Sequence, residues 1–368
     1  MKLRYKILGS VLALLVLVLA SLAFAISHNG ACVAPPPAAG NTPRMKAIVQ
    51  PCYGAPAVLR LEDIAKPTPV DNRMIVKVRA ASANPYDWHM LRGEPYIMRA
   101  MTGIGTPDDT RFGVDFAGTV ESVGKNVTKF KSGDDVFGGR TGAFAQYVSV
   151  AESGSLAMKP TNMTFEQAAA APMAAITALQ ALRDEGKVRS GQSVLINGAS
   201  GGVGTFAVQI AKAYGATVTG VCSTRNAAMV RAIGADEVID YTQEDFTRGG
   251  QRYDLIVDTV GSHSIAEYRR VLTPRGTLVM VGSQDKGHWI GAMSALIGVW
   301  VTAPFASQKL AGLMADLDPK DMDILRELMQ SGKVTPVIDR RYTLQEASEA
   351  IGYVEQGHSH GKVVIAVE

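Results

Sequence analysis

The sequence predicts an α/β protein of two domains that follow one apolar N-terminal helix. Three observations lead to this prediction. An uncharged apolar stretch lies near the start of the chain, and a turn-rich region of short β-branched stretches follows it. In the third region, strands alternate with helical stretches of about ten residues. A chain of 368 residues exceeds the usual size of one domain, so two domains are expected.

The composition is that of a folded protein. Hydrophobic residues make up 47% of the chain and charged residues 19%, which suits a sizeable core. The formal net charge is +3 and no run of Lys or Arg lies beyond the N-terminus, so no nucleic-acid surface is expected. The cysteines Cys32, Cys52 and Cys222 have no CxxC spacing, and three cannot all pair within one chain. We therefore expect neither a metal knuckle nor a disulfide scaffold.

Residues 1–26 are predicted to form a membrane anchor. Ile7–Ile26 contains no charge, and about 20 helical residues span the ~30 Å hydrocarbon core of a bilayer. Lys2, Arg4 and Lys6 precede this stretch, whereas the residues directly after it carry no full charge. The positive-inside rule then places the N-terminus in the cytoplasm and everything after the span outside it. The side of the membrane nevertheless stays open.

Two other interpretations of this segment also stay open. Ala23–Phe24–Ala25 resembles a signal-peptidase site, although a secretory signal usually has a shorter apolar region of about 7–15 residues. Cys32 suggests a lipoprotein signal, although Asn29 stands where an aliphatic residue is usual. Residues 27–44 are rich in Pro, Ala and Gly and are predicted to form an extended linker, with Pro35–Pro37 in the polyproline II conformation.

Residues 45–164 are predicted to form a compact, partly open β-barrel. The β-branched stretches in this region stand close to Gly, Pro and Asp, which favour turns. These stretches are Met45–Gln50, Met74–Ala80, Phe116–Val123 and Gln146–Val150.

Residues 165–300 are predicted to form a doubly wound parallel sheet, because strands alternate with helices. The region begins with a helical stretch over residues 165–182. The predicted strands are Ser193–Asn197, Thr217–Cys222, Glu237–Asp240, Leu255–Thr259 and Thr277–Val281.

Residues 301–368 have mixed character and are expected to complete the first domain. In this part we predict helices at Lys320–Gln330 and Leu344–Gln356, and strands at Val334–Ile338 and Lys362–Val367.

The most informative motif lies between the first predicted strand of this sheet and a helix. It has the form Ala-x-Gly-x-x-Gly, which is the Rossmann dinucleotide fingerprint with alanine in the first glycine position. Gly201 allows the backbone to approach a pyrophosphate, and Gly204 allows close packing of the helix. The helix N-terminus offers N–H groups and a partial positive charge to the phosphates. The predicted cofactor contacts of this turn are Ala199, Ser200, Gly201, Gly202, Val203 and Gly204.

The end of the second strand favours NADPH as the cofactor. An NAD-specific site would have Asp or Glu there for the ribose hydroxyls. This chain has Ser223, Thr224 and Arg225, and a guanidinium binds a phosphate through paired hydrogen bonds. Because Arg225 can also be simply solvated at a helix start, NADH stays possible.

With these residues assembled, the chain resembles the medium-chain dehydrogenase/reductase superfamily. Within it, the chain is similar to zinc-independent quinone oxidoreductase-like enzymes, including bacterial proteins described as NAD(P)-dependent alcohol dehydrogenases. The resemblance extends over residues 45–368 and implies a GroES-like domain at residues 45–164. The stretches that carry it are Ala83–Asp87, Gly113–Gly118, Asn197–Gly204, Gly234–Tyr241 and Gly361–Ile365.

The chain departs from the zinc-dependent branch of that superfamily. Asn84 stands near the place of a cysteine ligand, and Val114 and Asp115 stand where a Gly-His-Glu motif is usual. Another ligand usually lies near Ala174, and the four-cysteine lobe is absent. A zinc ion needs three or four converging ligands, so no metal site is expected.

The resemblance also implies roles for single residues. Asn84 and Asp87 should line the cleft near the nicotinamide, and Thr177 should contact the nicotinamide half of the cofactor. Ser223 and Arg225 match the 2′-phosphate positions, and Tyr241 matches a tyrosine near the adenosine. The residues at strand ends that should hold the nicotinamide amide are Val260, Val281, Gly282 and Ser283.

Without a metal, the expected reaction is hydride transfer to a quinone, an enone or a related carbonyl acceptor. The proton that completes the reaction should come from a side chain or from water, and the candidate side chains are Tyr86, His89 and Tyr96. The alternatives are a non-catalytic, membrane-tethered NADPH sensor or scaffold and an NADP-dependent alcohol dehydrogenase. The apolar stretch Ile290–Leu313 is either a core or subunit-interface helix, which allows a homodimer, or a lid or membrane-dipping surface suited to a lipophilic acceptor.

Overall fold

The computed structural model describes residues 2–33, 42–283, 287–291 and 293–367. The polyproline segment expected at Pro35–Pro37 lies outside the described residues. The N-terminal helix α1 (Lys2–Ser27) is the one described helix that is long and apolar enough to cross a membrane. None of the residues Ser10–Ser27 is buried against the rest of the protein.

The region that follows α1 is dominated by β-structure, as the turn-dense sequence predicts. Its strands are β1 (Arg44–Val49), β2 (Arg60–Ala65), β3 (Arg73–Ala83), β4 (Asp115–Val123), β5 (Asp135–Gly139), β6 (Tyr147–Ala151) and β7 (Leu156–Met158). The helices α2 (Pro85–Arg92) and α3 (Arg99–Thr102) lie between β3 and β4. The predicted helical stretch at residues 165–182 begins as two helices, α4 (Phe165–Ala169) and α5 (Pro172–Gln180), because a proline cannot continue the first helix.

The second region alternates strands and helices. Its elements are β8 (Ser193–Asn197), α6 (Gly202–Ala213), β9 (Thr217–Cys222), α7 (Ala227–Ala232), β10 (Glu237–Asp240), β11 (Tyr253–Asp258), α8 (Ile265–Arg270), β12 (Leu272–Met280), α9 (Met293–Thr302) and β13 (Lys309–Gly312). In the described part of the chain, the strand order is β10-β9-β8-β11-β12-β13, and every pairing is parallel. The order reverses between β8 and β11, which is where such sheets bind dinucleotides. Because β13 belongs to this sheet, the sheet extends beyond residue 300.

The last elements return to the first domain. They are α10 (Pro319–Gln330), β14 (Ile338–Thr343), α11 (Ala347–Glu355) and β15 (Lys362–Ala366). The larger β-sheet has the order β14-β15-β3-β4-β5-β7, and β6 also pairs with β3. β15 lies antiparallel to β3, with Val363 opposite Ala83. The C-terminal strand is therefore an interior strand of the first domain.

The two large sheets are both packed with apolar side chains, and one cluster joins Phe137 of the barrel to Ile196 of the parallel sheet. Alternate residues of β3 and β4, including Val76 and Phe116, pack with Phe144 and with Ile351 of α11. The parallel sheet is buried on both faces, and the centres of β8 (Val194–Ile196) and β11 (Leu255–Val257) are apolar runs between layers of helices. The two sheets confirm the α/β fold with one barrel-like domain and one Rossmann domain.

One predicted strand is wrong. Val334–Ile338 was expected to be a strand, whereas β14 begins only at Ile338. The backbone of Thr335 is satisfied by the side chain of Gln209, which donates to its carbonyl at 3.0 Å and accepts from its N–H at 2.8 Å. Because a side chain takes these bonds, the segment has no strand neighbour there.

The expectation about cysteines also needs correction. Cys32 and Cys52 form a disulfide with a Cα–Cα distance of 4.9 Å, and Cys222 is buried as a free thiol. An odd count excludes complete pairing but not a single bridge. The segment directly after α1 is therefore fastened to the first domain instead of forming the start of an extended linker.

Candidate active site

The glycine turn lies between β8 and α6, at the point where the strand order reverses. Gly198 has φ of +83°, a conformation that L side chains rarely adopt. A Cβ at Gly204 would overlap the carbonyl oxygen of Gly198, so only glycine permits α6 to pack this closely on the turn. By contrast, a Cβ at Gly201 would meet only that same oxygen at 3.4 Å. The first N–H groups of α6, from Gly202 and Val203 onward, have no partner within the helix and fit a pyrophosphate.

The ends of β8 and β11 are joined by buried hydrogen bonds that the sequence did not reveal. Asn197 donates from Nδ2 to Oδ1 of Asp258 at 2.9 Å. Asp258 also accepts the backbone N–H groups of Val260 and Gly261, each at 3.0 Å. Burial raises the pKa of Asp258, which these hydrogen bonds partly offset. The network fixes the loop that holds Val260 directly over the glycine turn, where a Cβ at Gly198 would meet its Cγ2 at 2.6 Å.

The loop after β12 lies beside this one. The N–H of Val281 donates to the carbonyl of Asp258 at 2.8 Å. A Cβ at Gly282 would lie 2.8 Å from the carbonyl oxygen of Thr259, and a Cβ at Gly261 would lie 2.9 Å from Cα of Ser283. Val260, Val281, Gly282 and Ser283 are thus brought together at the carboxyl ends of neighbouring strands.

The end of β9 carries the residues expected near the ribose. The amide of Asn226 donates to the hydroxyls of Ser200 at 3.1 Å and Ser223 at 3.2 Å, which links the glycine turn to this loop. Arg225 and Tyr241 are exposed. The pKa of His360 is lowered mainly by partial burial, and the positive charge of Arg225 lowers it further. Arg225 therefore lies near the C-terminal segment as well as near the second strand.

A polar cluster lies buried at the end of β3. Asn84, the residue before α2, donates from Nδ2 to Oδ2 of Asp115 at 3.0 Å, and its backbone N–H donates to Oδ2 of Asp87 at 2.7 Å. Lys362 of β15 donates from Nζ to Oδ1 of Asn84 and to the carbonyl of Ala83. The Lys362 Nζ also lies 3.8 Å from Oδ2 of Asp115. These four polar side chains are at least 97% buried.

The electrostatics of this cluster follow from burial and from the single cation. Burial raises the pKa of Asp87 to about 7 and that of Asp115 to about 6, although Lys362 and the hydrogen bonds from Asn84 oppose these shifts. Burial likewise lowers the pKa of Lys362, against the attraction of Asp115 and Asp87. Burial thus brings the pKa values of the two carboxyls close to neutral pH.

The cluster touches the glycine turn. A Cβ at Gly202 would lie 3.3 Å from Cδ of Lys362 and 3.6 Å from the carbonyl oxygen of Gly361. Asp115 also accepts the N–H of Met173, at the start of α5, at 3.1 Å. One turn further along α5, the hydroxyl of Thr177 donates to the carbonyl of Met173 at 2.7 Å. The buried cluster therefore links the barrel, the glycine turn and the helix that carries Thr177.

Sequence reasoning missed Lys362 and the role of Asp115. Asp115 lies in Gly113–Gly118 and Lys362 in Gly361–Ile365, two stretches that resemble the superfamily, but neither residue is among the predicted site residues. The available signal was a lysine directly before the apolar strand Val363–Ala366, because a buried lysine needs a partner.

The expected proton donors are in different surroundings. Tyr86 lies on the first turn of α2 and is exposed, and both partial burial and Asp87 raise its pKa. His89 stacks on Trp88, and its Nδ1 lies 3.1 Å from the carbonyl oxygen of Glu94. Tyr96 stacks on His288 instead of facing the cluster. Of the three, Tyr86 lies closest along the chain to the buried cluster and is open to solvent.

No three His, Cys, Asp or Glu side chains converge as a metal site within the described residues. Asn84 and Asp115 are both committed to Lys362 and to each other. An amide, one carboxylate and an ammonium group do not form a zinc ligand set.

Comparisons with known proteins give the same assignment for both domains. The family model "Alcohol dehydrogenase GroES-like domain" matches residues 70–160, and "Zinc-binding dehydrogenase" matches residues 233–365. The mouse protein named "NAD(P)H oxidoreductase RTN4IP1, mitochondrial" is 35% identical over 334 residues, 80% of this chain and 82% of that protein. The tomato (Solanum lycopersicum) protein named "2-methylene-furan-3-one reductase" is 33% identical over 87% of this chain and 79% of that protein.

A solved structure agrees with these relatives. The quinone oxidoreductase from Coxiella burnetii superposes with a TM-score of 0.77 at 31% identity, covering 89% of this chain and all of that one. This chain belongs to the medium-chain dehydrogenase/reductase superfamily, in its zinc-independent quinone oxidoreductase-like branch.

Proposed function

We propose that this protein transfers a hydride from NADPH to a quinone or an enone. The chain is an NAD(P)-dependent oxidoreductase, and relatives named as a quinone oxidoreductase and as a reductase of a methylene-furanone support these acceptor classes. The observation that carries the proposal is the contact between Lys362 and the glycine turn at Gly202. It brings the buried cluster of Asn84, Asp87 and Asp115 against the dinucleotide turn.

The reaction needs one hydride and one proton. NAD(P)H supplies two electrons and a hydrogen at the nicotinamide C4, and these form a new C–H bond at the β-carbon of an enone or reduce a quinone. The electrons of the acceptor's double bond move to its oxygen, and a proton then reaches that oxygen or the α-carbon. The protein must bind the acceptor, stabilise the negative oxygen and provide the proton.

The chain's own residues divide these tasks by their positions. The buried cluster holds the N-terminus of α2 against β4, β15 and the start of α5, so it is a positioning device and not itself exposed to the acceptor. Tyr86 extends from that fixed helix start and is the proposed proton donor. A tyrosine hydroxyl keeps its proton at neutral pH, and the upward shift of the Tyr86 pKa by partial burial leaves it protonated there.

A phenylalanine substitution tests the role of Tyr86. Tyr86→Phe should lower kcat about 10²-fold or more with little change in KM for NADPH, because only proton donation is removed. Tyr96→Phe is the matched control, since that ring lies in a stack with His288 and should keep near wild-type turnover. Equal activity of wild type and Tyr86→Phe would remove Tyr86 from the mechanism.

The preference for NADPH is proposed to depend on Arg225, supported by its exposure at the end of β9 beside Ser223. Arg225→Ala should raise KM for NADPH about tenfold and leave KM for NADH unchanged, since one charge-assisted contact to a phosphate contributes about 1.5 kcal/mol or more. If the variant keeps the same preference, the cofactor assignment to NADPH is wrong.

We propose a single-pass anchor formed by α1. The charge distribution around Ile7–Ile26 and the disulfide between Cys32 and Cys52 favour a non-cytoplasmic enzyme, because disulfides persist in oxidising compartments. The proposed use of NADPH, which is supplied inside the cytoplasm, favours the opposite side. A reporter enzyme fused to the C-terminus and active only after export tests the topology. Activity restricted to a cytoplasmic reporter would place the enzyme on the other side. A homodimer stays a prediction.

The decisive experiment for the function uses the full chain in detergent with NADPH and a panel of quinones, enones and alcohols. We expect NADPH oxidation that depends on a quinone or an enone. Tight NADPH binding without turnover on any acceptor would favour a sensor or scaffold. Reduction of NADP driven by an alcohol would instead make the protein an alcohol dehydrogenase.

A further inference from the structure

The C-terminal end of α1 is held by a buried arginine. Arg99 is 1% exposed and donates from Nη1 to the carbonyls of Ile26 at 3.1 Å and His28 at 3.4 Å. Its guanidinium lies between the rings of Tyr53 and Tyr96, 4.5 Å from each centroid. The last carbonyls of a helix lack intrahelical partners and carry partial negative charge, so this cation stabilises the helix end against the first domain.

Two further connections fasten the segment that follows α1. The N–H of Gly30 donates to the carbonyl of Gly105 at 2.7 Å. Two residues later, Cys32 is bonded to Cys52. Because these bonds lie within a few residues of the helix end, no flexible spacer separates the proposed membrane span from the catalytic domain.

Large apolar side chains are exposed around this attachment. We call the set the collar, and its members are between 47% and 83% exposed. The collar consists of Ile97, Met101, Ile104, Trp289 and Ile290.

The collar is continuous from one domain to the other. Ile97, Met101 and Ile104 lie in the same short segment as Arg99 and Gly105, which bind the end of α1. The segment 287–291 follows the loop after β12 and meets the barrel at Tyr96, whose N–H donates to the carbonyl of His288 at 2.7 Å. The rings of Tyr96 and Trp289 are also 5.5 Å apart, edge to face. The collar therefore includes residues of both domains, which meet where Tyr96 contacts the segment 287–291.

We infer that the collar is seated in the surface of the bilayer that α1 spans. Where a span ends, the polar–apolar boundary of the membrane begins, and any surface fixed beside that end must lie at the same level. Exposed tryptophan, isoleucine and methionine suit this boundary, since an indole places its ring in the acyl region and its N–H toward the headgroups. The inference rests on the proposed anchor but not on the proposed chemistry.

This placement has a consequence for the acceptor. We expect a lipid-dissolved quinone to reach the candidate active site from the bilayer, because the collar includes residues of both domains. A water-soluble quinone does not depend on the bilayer and should depend little on the collar.

Fluorescence of a single tryptophan tests the contact directly. The full chain with Trp88→Phe and Trp300→Phe keeps only Trp289 and is reconstituted in phosphatidylcholine vesicles that carry bromine on the upper acyl chain. We expect Trp289 to lose about half of its emission or more, because an interfacial ring lies within reach of these bromines. The matched control keeps only Trp88, which is half-buried in α2, and should not be quenched.

A kinetic comparison uses paired variants of the full chain in vesicles. Met101→Ser with Ile104→Ser should lower the rate with a long-chain quinone about tenfold, while the rate with a short-chain quinone stays within about twofold. Val70→Ser with Met158→Ser removes two other exposed apolar side chains and should change neither rate.

The outcomes separate failure of the inference from failure of the anchor. If the protein resists alkaline extraction from membranes but Trp289 is not quenched, the collar does not touch the bilayer and the inference is overturned. If alkaline extraction releases the protein, α1 is not a span and the proposed anchor fails first. Burial of Trp289 that depends on protein concentration and not on lipid would show that a second copy covers the collar.

Discussion

The buried ion pair between Lys362 and Asp115 allows a sharp test of how the candidate active site is held together. Lys362→Met keeps the length and apolar stem of the side chain but removes its charge. The variant leaves the buried Asp115 carboxylate with hydrogen bonds from Asn84 and Met173 and with no cation. Removing one partner of a buried pair costs about 3–5 kcal/mol, so we expect a loss of that size in the free energy of unfolding at pH 8.

The loss should depend on pH in a defined direction. The pKa of Asp115 is about 6, so at pH 5 this carboxyl is protonated in the wild type. Lys362 is then a buried cation without a charged partner, and its removal costs little. The difference between wild type and Lys362→Met should therefore shrink from several kcal/mol at pH 8 to about 1 kcal/mol or less at pH 5.

Urea denaturation of the full chain in detergent, without nucleotide, measures this difference at both pH values. The double variant with Lys362→Met and Asp115→Asn removes both charges and keeps an acceptor for Met173, so it should be more stable at pH 8 than the single variant. A loss of equal size at pH 5 and pH 8, or a double variant no more stable than Lys362→Met, would refute this account of the cluster.

Three other predictions concern the turn, the bridge and the buried acid. Gly204→Ala should weaken NADPH binding about tenfold or more and lower the free energy of unfolding by about 1–3 kcal/mol, because the new Cβ would overlap the backbone of Gly198. Titration with NADPH measures the loss of affinity. Gly250→Ala is the control, since a Cβ at that position meets no other atom within 4 Å. Cys32→Ser should lower the free energy of unfolding by about 3 kcal/mol, since the bridge to Cys52 closes a separation of 20 residues. Reducing the wild type should reproduce that loss in a denaturation series, and an unchanged midpoint would contradict it. The folded protein keeps a proton on Asp87 up to about pH 7, whereas the unfolded chain loses it near its ordinary pKa of 3.8. Stability should thus fall as pH rises between these values, by up to about 1.4 kcal/mol per pH unit, and Asp87→Asn should flatten that slope. Parallel curves for wild type and variant would exclude this role.

The features that were predictable from the sequence are those that depend on neighbouring residues. The glycine turn, its strand and its helix occupy Ser193–Ala213 without interruption, so local patterns are enough to identify them. The parallel sheet follows from the alternation of strands and helices. The position of Arg225 just after β9 is predictable in the same way, whereas its contact with a phosphate stays a prediction.

The features that were missed depend on residues far apart in the chain. Lys362 meets Asn84 and Asp115 only because β15 inserts beside β3, and no local pattern encodes that neighbourhood. The bridge between Cys32 and Cys52 depends in the same way on how the chain folds back. Val334–Ile338 has a strand-like composition, but the side chain of Gln209 takes the hydrogen bonds of Thr335 that a neighbouring strand would need.

The position of β15 also determines when the first domain can form during synthesis. β3 emerges early, yet its neighbour β15 is the last of the described strands, so the sheet lacks an interior strand until β15 has been synthesised. The parallel sheet, built from residues 193–312, is available sooner and can fold first. If the chain is exported, the barrel closes only after β15 has crossed the membrane. Until then Asn84 lacks its partner Lys362, and the buried cluster of the candidate active site is incomplete.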